Sequence, residues 1–175
     1  MAPHNIIIRF AEKQDLSSYI GLRKFSLRES PFAFSDSWED EVSKTPESYE
    51  SEIVAVPSEH FTLVAFTPEN ECIGFISCTR DKRKKARHRA LLHSLYVLPG
   101  YRGNSIGKRL IGESRKIISA VPDVEQLQLW VLLSGEDSAI GFYEKAGFEE
   151  MGGVFKDDLK INGKYVDAVC MVMHL

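Results

Sequence analysis

"YRGNSIGKRLI", residues 101–111, sets two glycines and three basic side chains, Arg102, Lys108 and Arg109, around the start of a helix. Upstream, "RALLHSLYVLP" reads as a strand ending at Pro99, and the chain turns between Gly100 and Asn104. Downstream, Ile106, Leu110, Ile111, Ile117 and Ile118 recur at helical spacing between about Ser105 and Ala120, with Pro122 beyond the end. A helix starting there points free N–H groups and the positive end of its dipole out of the turn. Gly103 and Gly107 allow close backbone approach, so the ligand suited to this turn is a phosphate or pyrophosphate. A Walker loop is excluded, because it needs four residues between its first glycine and Gly-Lys and then Ser or Thr. Here three residues separate Gly103 from Gly107, and Arg109 follows Lys108. A dinucleotide-binding turn belongs to the first strand–helix unit of a parallel sheet, which this is not. The stretch alone leaves an ordinary tight turn open as the alternative.

Outward from this turn the chain alternates strands and helices. "NIIIRF" predicts a first strand, followed by a helix from about Glu12 to Glu29. "SPFAFSDSWEDE" breaks the pattern at Pro31 and leaves Phe32 and Phe34 in a loop, as packing groups or as substrate contacts. Ser37 then caps a second helix that is interrupted at Pro46 and ends near Val56. "HFTLVAF", the turn "TPEN" and "ECIGFISCTR" form an antiparallel pair, which the strand before Pro99 extends to a meander. In that last strand Leu91, His93, Leu95 and Val97 share one face, while Leu92, Ser94, Tyr96 and Leu98 share the other. Both faces being largely apolar, it is a central strand.

"EQLQLWVLL" gives the next strand, and Ser134 with Asp137 has capping-box-like spacing before a short helix through "SAIGFYEKA" that Gly147 ends. "FEEMGGVF" and "KYVDAVCMVMHL" close the chain as strands joined by Asn162-Gly163. The order predicts one α/β domain over residues 1–175, with a mixed, mostly antiparallel sheet of about seven strands flanked by about four helices.

Composition narrows the setting. A chain of 175 residues, 43% of them apolar, suffices for one core. No apolar run approaches the ~20 residues of a membrane span and the start lacks signal-peptide regions, so a soluble cytoplasmic protein without a membrane partner is expected. Cys72, Cys78 and Cys170 have no zinc-like spacing, so neither a disulfide framework nor a metal is expected. The net charge of −3 conceals a basic segment, "RDKRKKARHR" at 80–89, with seven Lys or Arg against one acid. It reads as a solvated hairpin tip or an anion-attracting surface; lacking aromatics to stack on bases, it is not expected to bind nucleic acid.

"LYVLPGYRGNSIGKRLI" followed by "LQLWVLLSGEDSAIGFYEKAGF" resembles, in order and spacing, the two diagnostic segments of the GNAT acyltransferase superfamily. The first and last strands resemble that family too, so the likeness covers nearly the whole chain. It implies a GNAT fold and acetyl-CoA as cosubstrate, with the pyrophosphate cradled by Arg102, Gly103, Asn104, Ser105, Ile106 and Gly107 beside Lys108. It also implies that Leu95, Tyr96 and Val97 present backbone groups to the pantetheine arm and the acetyl carbonyl, where the fourth strand splays from the fifth. Ser105 departs from the family's usual glycine, at a cost of about 1–2 kcal/mol if its φ is positive. Glu136 departs from a frequent asparagine.

The resemblance further implies that Tyr143 lies near the CoA sulfur and protonates the departing thiolate, although its spacing with Ala139, Phe142 and Ala146 also fits a core stripe. A glutamate base that some members carry in the fifth strand would fall at Trp130 or Val131, and neither can accept a proton. His93, placed where some small-amine acetyltransferases carry histidine, is the candidate base; a hydrogen-bonded core histidine is the plainer reading. Glu29, Phe32 and Phe34 are the candidate acceptor contacts, and Glu29 is a second candidate base. The expected reaction is direct attack by a primary amine, of a small molecule first and of a protein N-terminus or lysine second. A non-catalytic CoA-binding or nucleic-acid-binding module is the other class. Many members dimerise, so a homodimer is among the assemblies the resemblance allows.

Overall fold

The computed structural model describes residues 5–134 and 139–175. Seven strands form one sheet: β1 (Ile7–Phe10), β2 (His60–Phe66), β3 (Cys72–Arg80), β4 (Arg89–Val97), β5 (Gln126–Leu133), β6 (Glu149–Ile161) and β7 (Lys164–His174). Their order is β1-β2-β3-β4-β5-β7-β6. Every neighbouring pair is antiparallel except β4–β5, which is parallel. The helices among the described residues are α1 (Leu16–Glu29), α2 (Trp38–Ser43), α3 (Pro46–Ile53), α4 (Ile106–Ser119) and α5 (Ile140–Lys145).

The expected second helix is thus two. Ser37 caps α2 by accepting from the Asp40 N–H at 3.1 Å. Thr45 caps α3 in the same way from Ser48, with Pro46 in the first turn. Proline has no N–H to continue a helix but suits the start of one, so α2 stops and α3 begins around it. At the other end of the chain β6 runs past the expected "FEEMGGVF" to Ile161. Its second half lacks apolar alternation because it lies exposed at the sheet edge.

The sheet separates two apolar layers. On one side Ile106, Leu110, Ile111 and Ile118 of α4 are each at most 2% exposed, against Leu63, Ile73, Ile76, Leu127, Leu129 and Met171 of the strands. Each such side chain contributes about 1.5–3 kcal/mol relative to exposure. On the other side Tyr19, Leu22 and Leu27 of α1, with Tyr49 and Ile53 of α3, cover Val64, Phe66, Phe75 and Tyr96.

β4 does not keep the alternation expected of it. Its pairing with β3 shifts register between Phe75 and Ser77, which face Tyr96 and His93, so β4 carries one extra residue. Ser94 absorbs it with φ of 56°. This bulge reverses the side-chain parity. Ala90 and Leu92 face the α4 layer, and beyond the bulge so do Leu95 and Val97. Tyr96 therefore joins the α1–α3 layer, on the side that His93 occupies.

β3 and β4 approach closely at Gly74, where an added Cβ would lie 2.9 Å from the Tyr96 carbonyl oxygen and 3.4 Å from Val97 Cγ2. Gly74→Ala is therefore expected to lower unfolding stability by about 1–3 kcal/mol. Urea unfolding measures this, and an unchanged midpoint would contradict the close approach.

Candidate active site

The turn before α4 contains two left-handed residues. After a 3-10 turn at Pro99–Tyr101, Gly103 has φ of 80° and Ser105 has φ of 59° with ψ of 12°, and α4 follows. Asn104 Nδ2 braces the turn by donating to the Tyr101 carbonyl at 3.1 Å and the Arg102 carbonyl at 3.3 Å. The first helical rung runs from the Arg109 N–H to the Ser105 carbonyl at 2.9 Å, and no side chain caps the helix. The N–H groups of Ile106, Gly107 and Lys108 consequently have no acceptor within the helix, which is the arrangement an anion fills.

The residues around this turn divide their tasks. A Cβ at Gly107 would lie 3.2 Å from Phe142 Cζ, so this glycine lets the Phe142 ring close on α4. Lys108 lines the cavity at the turn. Arg109 does not join it, because its guanidinium donates to the Ile6 carbonyl at 2.8 Å and fastens α4 to the start of the sheet. Arg102 lines the cavity but pairs with Glu29, at 2.8 Å.

Beside the turn the sheet opens. Parallel pairing of β4 with β5 covers Arg89 to Leu91 against Gln126 to Gln128 and goes no further. The Leu98 N–H donates to the Ile73 carbonyl at 2.9 Å, which fixes the alternation along this end of β4. Counting back, the Tyr96 peptide is turned to Phe75 of β3, whereas the N–H and carbonyl of Val97 face the gap. Among the three expected strand contacts, Tyr96 therefore differs, since its backbone is already paired. A cavity of about 820 Å³ fills the gap, with Leu95, Val97, the turn at Arg102–Lys108 and Val131 on its walls.

Tyr143 of α5 faces this cavity and lies edge-on to both Phe142 and Phe148. Burial pushes its phenol up to about 12, so it stays protonated at neutral pH. Among the described residues its hydroxyl has no hydrogen-bond partner, which leaves the proton free to donate into the cavity.

A second cavity, of about 950 Å³, lies on the α1–α3 side and is lined by His93, Phe34, Arg23, Thr79 and Asp158 among others. Ala33, Trp130 and Leu132 line both cavities and mark where they meet. His93 Nε2 is 3.1 Å from Thr79 Oγ1, and Nδ1 is 3.2 Å from Ser94 Oγ. The ring reaches cavity water on one side and is crowded by protein on the others. That crowding, followed by the charge of Arg23, holds its pKa below 6.5; Asp36 opposes the shift and Lys44 adds to it. His93 is accordingly neutral at physiological pH.

The structure parts the expected acceptor contacts. Phe32 and Glu29 line the first cavity, whereas Phe34 is buried under the Arg23 guanidinium at 4.8 Å and borders the second. Glu29 is a poor base: burial raises its pKa, but hydrogen bonds from Ser30, Arg102 and Tyr96 outweigh this and lower it. Trp130 is the wall that sequence reasoning missed. It is 46% exposed at the junction and edge-on to Phe155 at 4.7 Å. Only an exposed tryptophan in an otherwise buried strand could have signalled it.

Four of the seven basic residues at 80–89 are engaged locally. Arg80 donates to the carbonyls of Arg87 and Pro122, Arg83 and Arg89 pair with Asp81, and Arg87 pairs with Glu59. Cys72, Cys78 and Cys170 are buried free thiols. No described helix is long and apolar enough to cross a membrane. Glu136 and the expected cap at Asp137 lie outside the described residues.

Comparison with known proteins shows the family and the fold. A model of the acetyltransferase (GNAT) family matches residues 22–148. The [ribosomal protein bS18]-alanine N-acetyltransferase of Haemophilus influenzae is 29% identical over 117 residues, which are 67% of this chain and 75% of that protein. A GNAT-family acetyltransferase from Streptococcus pneumoniae superposes with a TM-score of 0.81 at 26% identity, covering 98% of this chain and 100% of that one. The PaiA N-acetyltransferase of Thermoplasma acidophilum, solved with coenzyme A, gives a TM-score of 0.72 at 25% identity, covering 98% and 99%.

The left-handed Ser105 carries a cost that glycine would not. Relief of about 1–2 kcal/mol of strain exceeds the entropy glycine adds to the unfolded chain. Ser105→Gly is expected to raise unfolding stability by about 0.5–1 kcal/mol, as measured by urea unfolding. A loss of stability would show that the hydroxyl contributes more than the backbone strain removes.

Proposed function

This chain belongs to the acetyltransferase (GNAT) family and is an acetyl-CoA-dependent N-acetyltransferase; we propose that it acetylates the primary amine of a small molecule by direct attack. The observation carrying this reading is the meeting of two cavities at Ala33, Trp130 and Leu132, with Tyr143 in one and His93 in the other. The residues of the first cavity fit acetyl-CoA. The uncapped N–H groups at Ile106 to Lys108 suit its phosphates, and the Val97 backbone, which faces the gap and whose carbonyl is held by Arg102 Nε, suits the amides of its pantetheine arm. When bound, it supplies a thioester carbonyl.

The acceptor amine enters from the second cavity. Its N–C bond forms as the C–S bond breaks, so one proton must leave nitrogen and one must reach sulfur. Neutral His93 accepts the first, directly or through water, and the Tyr143 phenol donates the second. A backbone N–H near Leu95 stabilises the charge that develops on the carbonyl oxygen. No covalent bond to the protein is required.

A protein N-terminus is the second reading, favoured by the alanine N-acetyltransferase likeness. An acetyl-CoA consumption screen over amines, polyamines, amino acids, and peptides with free N-termini or lysines separates the two. Turnover of peptides alone would overturn the small-molecule assignment.

Tyr143→Phe is expected to lower kcat at least about 10-fold while leaving acetyl-CoA affinity nearly unchanged. Steady-state kinetics and calorimetry measure the two quantities, and unaltered turnover would make Tyr143 a packing residue. For His93 the rate should rise with pH through a transition below 6.5 and then plateau, because the neutral imidazole is the active form. His93→Ala should abolish that transition. Its persistence in a folded His93→Ala variant would remove His93 from the reaction.

A further inference from the structure

The end of α1 is tied to the phosphate turn by a cluster that the reaction derived above does not use. Glu29, the last residue of α1, accepts at Oε2 from the Tyr96 hydroxyl at 3.0 Å and from Arg102 Nη2 at 2.8 Å, and Ser30 also donates to it. Arg102 Nη1 is 3.4 Å from Oε1, and Nε donates to the Val97 carbonyl at 2.9 Å. The guanidinium lies over the Tyr96 ring, 5.5 Å from its centre. All three guanidinium nitrogens are thus directed to α1 and to β4.

The pair favours Glu29 as a carboxylate: hydrogen bonds from Ser30, Arg102 and Tyr96 overcome the opposing effect of burial and lower its pKa. Its side chains are 47% and 27% exposed, and ion pairs this open to water add little to stability. Its value lies in what it places. The Val97 carbonyl is the group that faces the gap beyond the β4–β5 pairing, and holding it fixes the plane of the peptide. Glu29 also precedes the 3-10 turn Pro31–Ala33, whose last residue stands where the two cavities meet.

We propose that Glu29 and Arg102 are positioning residues, which hold the Val97 peptide in place for the pantetheine arm, and that Arg102 is not a ligand of the phosphates. This rests on the reading of the first cavity as the acetyl-CoA site. The turn's own N–H groups and Lys108 then carry phosphate recognition.

Calorimetric titration of acetyl-CoA and of S-acetyl-pantetheine, which has neither phosphates nor nucleotide, tests the assignment in the wild type, Glu29→Gln, Arg102→Gln and the double variant. Each single variant is expected to weaken both ligands by the same factor, roughly three- to tenfold, the worth of a positioned hydrogen bond. The double variant should lose no more than either single, because one unit is removed in each case. Arg102→Lys keeps the charge but cannot form the fork, and should behave as Arg102→Gln does. Weakening of acetyl-CoA but not of S-acetyl-pantetheine by Arg102→Gln would make Arg102 a phosphate ligand. A lowered thermal midpoint with both affinities intact would make the cluster merely structural. Either result overturns this proposal alone, whereas a wild-type protein that binds neither ligand would overturn the acetyltransferase reading with it.

Discussion

The parallel contact between β4 and β5 ends after Leu91 and Gln128, and the site depends on that ending. A sheet interior normally satisfies every peptide group on both sides, because an unpaired buried amide is costly. Here the two central strands diverge, leaving the edge of β4 beyond Leu91 without a partner strand. The gap is sustainable because structure surrounds it. β4 stays anchored to β3 through Gly74 and Phe75, β5 stays paired with β7 along its length, and α4 closes one side of the opening. A molecule with amides along an extended arm can complete the ladder that the protein leaves unfinished.

The two proposed proton-handling groups sit in surroundings that act in opposite senses on charge and to the same end. Both are crowded by protein, and crowding penalises ionisation. For a phenol this means retention of a proton, and for an imidazole it means loss of one. Tyr143 is thereby kept as a donor by burial alone, and His93 as an acceptor by burial aided by the charge of Arg23. Glu29 shows the contrast. Three donors converge on its carboxylate, stabilise its charge and disqualify it as a base.

Much of this was legible in the sequence. The turn proposed to hold the phosphates stood out because a glycine pair, a following apolar helical stripe and flanking basic residues are all local. The succession of strands along the chain followed from alternation and from turn residues such as Asn162-Gly163, whose φ values of 50° and 79° are those a two-residue hairpin needs. What escaped the reading depends on long-range contacts. Arg109 looks like a phosphate ligand until its hydrogen bond to Ile6, 103 positions away, is seen. Trp130 looks like the absence of a base until Ala33 and Leu132 are found beside it. Ser105 could be priced only once its φ was known, and the extra residue in β4 leaves no compositional trace, since Ser94 is an unremarkable strand residue.

That extra residue acts as a half-period shift in a wave of wavelength two. Upstream of Ser94 the odd-numbered side chains of β4 belong to the α1–α3 layer, and downstream they belong to the α4 layer. Leu91 and His93 therefore answer to different neighbours from Leu95 and Val97, although the four look equivalent in the sequence. With an unbroken strand Leu95 and Val97 would crowd the face that holds His93, and Tyr96 would turn away from Glu29 into the opposite layer. One backbone irregularity thus lets a single strand serve two compartments, with its imidazole turned to one and the backbone edge that no strand pairs turned to the other.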